Sequence, residues 1–310
     1  MKNKLFLGSL FSAMSAISYS TQASIIKGAI SGIPLPVMVF IQSLICLILI
    51  LPIIVIKNGS KTFQYNSFSK VKKQHFMRTV FSLGISYFLF ASLKYMPFLD
   101  SVLLYNTFPL FVPIVAFAVL KTKIDKVLYP FILLGFIGAA LTMNVDGNIF
   151  SFPATYGLLS AICAAFSIVF MRKISKSDDS LKSLYHYFLY STIISGFVSV
   201  PYLSDSGDIN FKVLLLIGFM FFIVQYFLTL AATYTTPTVV SMVYYLNIIV
   251  SLIISICIFN FFITNKIAIG MILIVVGGLS AIYLQTKRKR YINDVLDSSL
   301  TLNSKERAST

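Results

Sequence analysis

Acid is scarce in this chain. Its 310 residues hold ten Asp and Glu against 25 Lys and Arg, and Glu306 is the single glutamate. Histidine and cysteine are nearly as rare, with His75, His186, Cys46, Cys163 and Cys257 making up the whole set. The cysteines sit inside apolar runs, so they read as buried thiols and not as a disulfide framework. So few histidines and carboxylates leave a metal without ligands, and neither a metal nor a cofactor is expected. His75, in a basic stretch, and His186, among tyrosines, read as solvated or interfacial side chains. There is no Ser-His-Asp set and no phosphate loop, and no histidine lies in a central apolar run, which argues against an enzyme. Charged residues are 11% of the chain, where soluble domains carry roughly 25%.

Hydrocarbon fills the space that charge leaves. The chain is 57% hydrophobic with a mean hydropathy of +0.88. A water-soluble fold of this length cannot hide so much apolar surface, so lipid is the expected solvent for most of it. A helix needs about 20 apolar residues to cross the hydrocarbon core. Runs at 5–26, 34–56, 77–95, 99–120, 127–144, 154–171, 184–203, 212–234, 238–259 and 267–285 meet or nearly meet that length. They lack the alternation of a membrane barrel. The expected fold is all-α and integral to the membrane, with about ten transmembrane helices. The first run follows Lys2 and Lys4 and has Ala23 where a signal peptide is cleaved, but its length suits a retained helix.

The net charge of +15 invites a nucleic-acid reading that its distribution argues against. If the N-terminus lies inside, ten spans return the C-terminus inside. Every Lys and Arg except Lys27, Lys94, Lys212 and Lys266 then falls on the inner side, as the positive-inside rule requires. The basic cluster at 287–290 flanks the last span and suits the anionic lipids of the inner leaflet. The tail 291–310 is polar and reads as disordered and cytoplasmic. A basic inner face fits a bacterial cytoplasmic (inner) membrane, which is the expected location.

The sequence also repeats. When 91–105 is laid on 231–245, Ala91 meets Ala231, Pro97 meets Pro237, Ser101 meets Ser241 and Tyr105 meets Tyr245. The same offset takes Lys126 to Lys266 and Gly138 to Gly278. A nearby offset relates Gly8, Leu10, Ala16 and Ser18 to Gly157, Leu159, Ala165 and Ser167. Five spans per copy is an odd number, so the second copy enters the membrane from the opposite side. Such inverted halves give two near-equivalent states with a site between them at the midplane.

The fourth run holds Leu103-Leu104-Tyr105-Asn106-Thr107-Phe108-Pro109-Leu110-Phe111-Val112-Pro113. It resembles the fourth-helix pattern of the drug/metabolite transporter superfamily, EamA type. Gly135-Phe136-Ile137-Gly138 and Gly277-Gly278 resemble that family's glycine-containing fifth and tenth helices. Tyr244-Tyr245-Leu246-Asn247 is similar to its S-adenosylmethionine uptake branch. The resemblance spans roughly 5–285. It implies two EamA-like five-helix repeats, at 1–144 and 145–290. It also implies a secondary transporter that moves a small metabolite, an amino acid or nucleotide-like compound among the choices, by alternating access. Family members often carry a glutamate just before the fifth and tenth helices, where this chain has Thr122 and Phe262. The uptake branch carries an acidic residue where Asn247 stands, so a cationic cargo is disfavoured.

Polar groups inside spans are the candidate site. Asn247, Ser251 and Ser255 recur every four residues, with Tyr244 a turn earlier and Tyr245 beside it, forming one helical stripe. That stripe either lines a cavity or bonds neighbouring helices. Tyr105, Asn106 and Thr107 precede Pro109, and Pro113 follows a turn later. Proline removes a backbone donor, so Pro109 and Pro113 mark a hinge or a packing kink. Ser15, Ser18 and Gln22 in the first span match Ser160, Cys163 and Ser167 in the sixth, as site residues or as small groups that let helices approach. Tyr87, with Tyr95, and Gln225, with Tyr226 and Tyr234, offer stacking or hydrogen bonds. Tyr95 and Tyr234 lie at helix ends and suit the interfacial belt. Lys94 attracts an anion, pairs with Asp100 or snorkels. No carboxylate stands mid-span, so exchange, facilitated transport or coupling to another ion is expected over carboxylate-based proton antiport. A lipid flippase or scramblase and a non-transporting scaffold stay open as alternatives.

Overall fold

The computed structural model describes residues 2–58, 71–121, 129–143, 152–203, 210–234 and 243–280, together with 69, 127, 240, 283 and 284. Among them every regular element is helical. In chain order these are α1 (Lys2–Ala29), α2 (Leu35–Asn58), α3 (Lys72–Tyr95), α4 (Phe98–Tyr105), α5 (Phe108–Leu120), α6 (Tyr129–Met143), α7 (Phe152–Ile174) and α8 (Ser180–Ser199). A short 3-10 turn (Val200–Tyr202), α9 (Phe211–Tyr234), α10 (Leu246–Phe259) and α11 (Asn265–Ser280) complete them. Five segments are long and apolar enough to cross a membrane: Leu35–Lys57, α3, Phe98–Val119 (α4 and α5 together), α7 and α9. Pro237 and Ser241 of the repeat, Thr122, the 287–290 cluster and the 291–310 tail lie outside the described residues.

Two spans begin earlier than their hydropathy predicts. The third starts at Lys72 and not at 77, and of its polar first turn His75 is buried while Lys72 and Lys73 are exposed. The seventh starts at Ser180, because the Asp179 carboxylate accepts the Lys182 backbone N–H at 3.2 Å and caps the helix. At the other end of α3, Met96 is extended and Pro97 follows. The Lys27 ammonium donates to the Leu93 and Met96 carbonyls, at 2.6 and 2.7 Å, and so closes that helix from α1. Lys94, in the same turn, is exposed and lies over the Tyr95 ring.

The fourth span is broken. Asn106 and Thr107 separate α4 from α5, with Pro109 in the first turn of α5 and Pro113 inside that helix. Pro109 has no N–H for the carbonyl a turn back. At the break Asn106 Nδ2 donates to the Val102 carbonyl (2.7 Å) and Thr107 Oγ1 to the Leu104 carbonyl (2.7 Å). Buried carbonyls in a lipid-surrounded helix need such partners. At the matching position of the other half, α10 begins only after Tyr245.

Packing follows a regular pattern. Helix α1 lies on α9 and α3 on α7; α2 lies on α8; α9 also meets α2 as α8 meets α3; α10 meets α1 as α4 and α5 meet α7; and α4 meets α10. If the first to fifth runs are exchanged for the sixth to tenth, each pairing becomes another in the set or itself. Close approach is needed where α6 meets α11. A Cβ on Gly138 would stand 2.7 Å from the Gly270 carbonyl oxygen, and one on Gly277 2.7 Å from the Gly135 nitrogen. Backbones this near leave no room for a side chain, as at other small-residue crossings in membranes.

The molecule is apolar outside and comparatively polar within. Ile56, Phe197 and Leu133 are among many large apolar side chains on the outer surface. Serines 12, 15, 20, 43, 82, 86, 92, 101, 160, 191, 195, 251 and 255 are buried. A soluble protein distributes these groups the other way round. The outer face suits lipid, while several interior hydroxyls, such as Ser43 with Ser191 and Ser82 with Ser167, bond across helices.

Candidate functional site

A narrow cavity, open at its mouth, runs between α1, α3, α4, α7, α8 and α9, with Tyr244 ahead of α10. At one end three phenols gather. Tyr19 stacks on Tyr105 with ring centroids 4.9 Å apart, and Tyr244 tilts against Tyr19 at 5.9 Å. Phe108 backs this group, 5.5 Å from Tyr105 and 6.0 Å from Tyr244. Along the walls stand Gln22, Ser82, Ser86, Ser167 and Gln225 among aliphatic side chains. Gln22 donates to Gln42 Oε1 at 3.3 Å, and the Ser82 and Ser167 hydroxyls are 2.7 Å apart.

At the other end of the lining is Arg78, in the second turn of α3 and only 1% exposed. Its Nη1 donates to Ser183 Oγ at 2.5 Å, and its guanidinium lies 5.0 Å from the Tyr187 ring centroid. Its Nε has no hydrogen-bond partner. Asp178 takes part in ion pairs with His75 and Lys182, and Arg78 is in neither of them. A buried arginine in a spanning helix is costly, so one that has no ion-pair partner among the described residues is a candidate functional group.

Beside Arg78 is a small polar cluster. His75 Nε2–H donates to Asp178 Oδ2 at 2.7 Å, Ser69 Oγ donates to the same oxygen at 2.6 Å, and Lys182 Nζ is 3.4 Å from Oδ1. Burial pushes the Asp178 carboxyl up. The bonds from His75 and Ser69 and the Lys182 ammonium outweigh that and hold it below its ordinary value. The His75 ring stacks on His186 at 4.7 Å. Both histidines are buried, at 0% and 4% exposure. The expectation of solvated histidines is therefore corrected, while an interfacial position is not contradicted: His75 lies in the first turn of α3, where Asp178 and His186 cover it.

The polar residues singled out from sequence divide into two sets. Tyr105, Tyr244 and Gln225 line the cavity. Asn106, Thr107, Tyr245, Asn247, Ser251, Tyr87 and Ser18 are not among its lining residues. Asn106, Asn247, Ser251 and Ser20 form a buried knot between α1, α10 and the break in the fourth span. Asn247 Nδ2 donates to Asn106 Oδ1 at 3.4 Å, while Ser20 and Ser251 each donate to Asn247 Oδ1 at 3.1 Å. Ser255 is buried on the same stripe. Tyr19, Arg78 and Tyr187 were missed as site residues. Arg78 had a signal: Phe76, Met77, Val80 and Phe81 surround it, so it stands within an apolar segment and not in the loop.

A helical bundle with an apolar exterior and an internal cavity lined by aromatic, aliphatic and a few polar side chains is what a multi-pass membrane protein presents. The sequence profile of the EamA-like transporter family matches residues 6–144 and again 151–283, and the chain belongs to that family. It is a membrane transporter of small metabolites. Among its relatives is the pseudopaline exporter CntI of Pseudomonas aeruginosa, in strain UCBPP-PA14 23% identical over 78% of this chain and 84% of the exporter. Another is the S-adenosylmethionine uptake transporter of Rickettsia conorii, 26% identical over 58% of this chain and 61% of the transporter. A solved crystal structure aligns over 93% of this chain and 99% of its own, with a TM-score of 0.65 and 15% identity, and shares the fold.

Proposed function

We propose that this protein is a secondary transporter of the cytoplasmic membrane that carries a small metabolite by alternating access, through exchange or facilitated transport. The observation that carries this reading is the cavity between helices of both profile-matched halves, polar and aromatic inside an apolar body. The exchange of helix pairings between the halves supports two inverted five-helix repeats, 1–144 and 145–290, whose two orientations supply the two access states. The skewed placement of Lys and Arg supports cytoplasmic termini. Among the described residues that line the cavity none is a carboxylate, which supports exchange over carboxylate-based proton antiport. The relatives are named for export and for uptake, so direction does not follow from them. The names of these relatives, a pseudopaline exporter and an S-adenosylmethionine uptake transporter, support a small-molecule cargo, for which an amino acid or nucleotide-like metabolite is our choice.

The test is uptake of a labelled panel by vesicles holding the purified protein, with and without counter-substrate inside. The panel holds neutral amino acids, purine-derived metabolites, sugars and organic cations. Saturable uptake of one class, accelerated by preloading with the same class, is expected. Folded, inserted protein that passes none of them but scrambles labelled lipid would move the reading to a lipid carrier. Neither activity would leave a membrane scaffold.

A further inference from the structure

We infer that Arg78 is the seat of an oxyanion on the cargo, a carboxylate or a phosphate, and that the cargo's ring or apolar part lies along the tyrosines. The inference rests on the cavity being the cargo site and names the chemistry that the site selects. Four observations converge. Arg78 lines the cavity while 1% exposed, so it does not snorkel out to water. Its Nε–H is without a partner. The nearby carboxylate of Asp178 is committed to His75, Ser69 and Lys182. The remaining polar groups of the lining are neutral amides, hydroxyls and phenols.

The geometry suits an anion in particular. The Ser183 hydroxyl and the Tyr187 face hold the guanidinium in place, so its planar fork is preset for two parallel bonds to an oxyanion. A cation entering the cavity would meet this charge with no carboxylate to offset it. An anion would supply the missing counter-charge in a medium where solvent does not. The Tyr19–Tyr105 stack and Tyr244 offer flat apolar faces to the rest of the cargo.

The experiment uses the unaltered protein in liposomes. Arginine is modified with 2,3-butanedione, and adducts at Arg78 are followed by mass spectrometry, with Arg172 near the end of α7 as the internal reference. The probes are three ring-matched compounds: benzoate, phenyl phosphate and benzamide. Benzoate, phenyl phosphate or both are expected to slow modification of Arg78 about tenfold, the effect of a 1.4 kcal/mol preference, while Arg172 is unchanged and benzamide does nothing. Which of the two acids protects tells carboxylate from phosphate. Equal protection by benzamide, no protection by either acid, or an Arg78 that reagent never reaches would overturn the assignment. Protection without flux in the vesicle panel would keep the anion seat and sink the transport reading. Saturable flux of a neutral or cationic class without protection would do the reverse.

Discussion

The Asn247 knot and the Arg78 end of the cavity are both buried polar clusters in a lipid-facing fold, yet they differ in how their bonds close. In the knot, Asn247 meets Asn106, Ser20 and Ser251, all within the protein. At Arg78 one nitrogen is bonded to Ser183 and another has no partner, and neither ion pair of Asp178 includes it. Burial alone does not mark a binding site in a membrane protein. A cluster that closes on itself holds helices together, whereas one left with an unpartnered donor has bonding capacity to spare.

This comparison can be broken by substitution. The largest effect is expected at Arg78. Arg78→Gln should cut cargo flux roughly tenfold to a hundredfold, since a hydrogen bond to a charged group is worth about 1.5–3 kcal/mol. Its melting temperature in detergent should hold or rise, because a buried charge is removed. A stability loss with unchanged flux would make Arg78 structural. The opposite split is expected for Asn247→Ala, which should lower unfolding stability by about 1–2 kcal/mol and leave flux within a few-fold of the parent. The cycle with Asn106→Ala, read by the same melts, should show coupling of about 0.5–1 kcal/mol. Additive losses would say that the 3.4 Å contact does not bind the two broken spans together.

Two smaller effects sharpen the picture. Tyr105→Leu keeps the apolar bulk but loses the stack on Tyr19, so about 0.5–1.5 kcal/mol should disappear from stability or from binding of a ring-bearing cargo. The split is read by melts against apparent affinity in the vesicle assay. Asp178 supplies a pH dependence. Its folded pKa is depressed, so its contribution is present above the ordinary carboxylate pKa and is lost as pH falls through the folded value. Melting temperature should therefore decline below about pH 4, and Asp178→Asn should flatten that part of the profile.

Much of this architecture is legible in the amino-acid order because lipid imposes simple demands. Apolar length marks most spans, and Pro109 with the polar pair Asn106 and Thr107 marks the place where the fourth span breaks. The periodicity of Asn247, Ser251 and Ser255 marks one buried face. Periodicity does not say what lies opposite a face. A cavity and a helix interface both take polar groups, and the neighbour across the stripe comes from residues as distant as Ser20 and Asn106. Arg78 was obscured for another reason. Counting basic residues by side assigns everything near Lys72 and Lys73 to the inner loop, whereas α3 begins at Lys72 and carries Arg78 inward.

Accessibility at the cavity wall from both sides of the membrane tests alternating access most directly. Ser86 lines the cavity on α3. With Cys46, Cys163 and Cys257 replaced by alanine, Ser86→Cys gives a single thiol to be challenged in oriented vesicles by a membrane-impermeant maleimide from one side and then the other. Modification from both sides is expected, with the share from each changing when cargo is supplied on one side only. Modification from one side alone, unaltered by cargo, would contradict a carrier that opens its central cavity in turn to the two faces of the membrane.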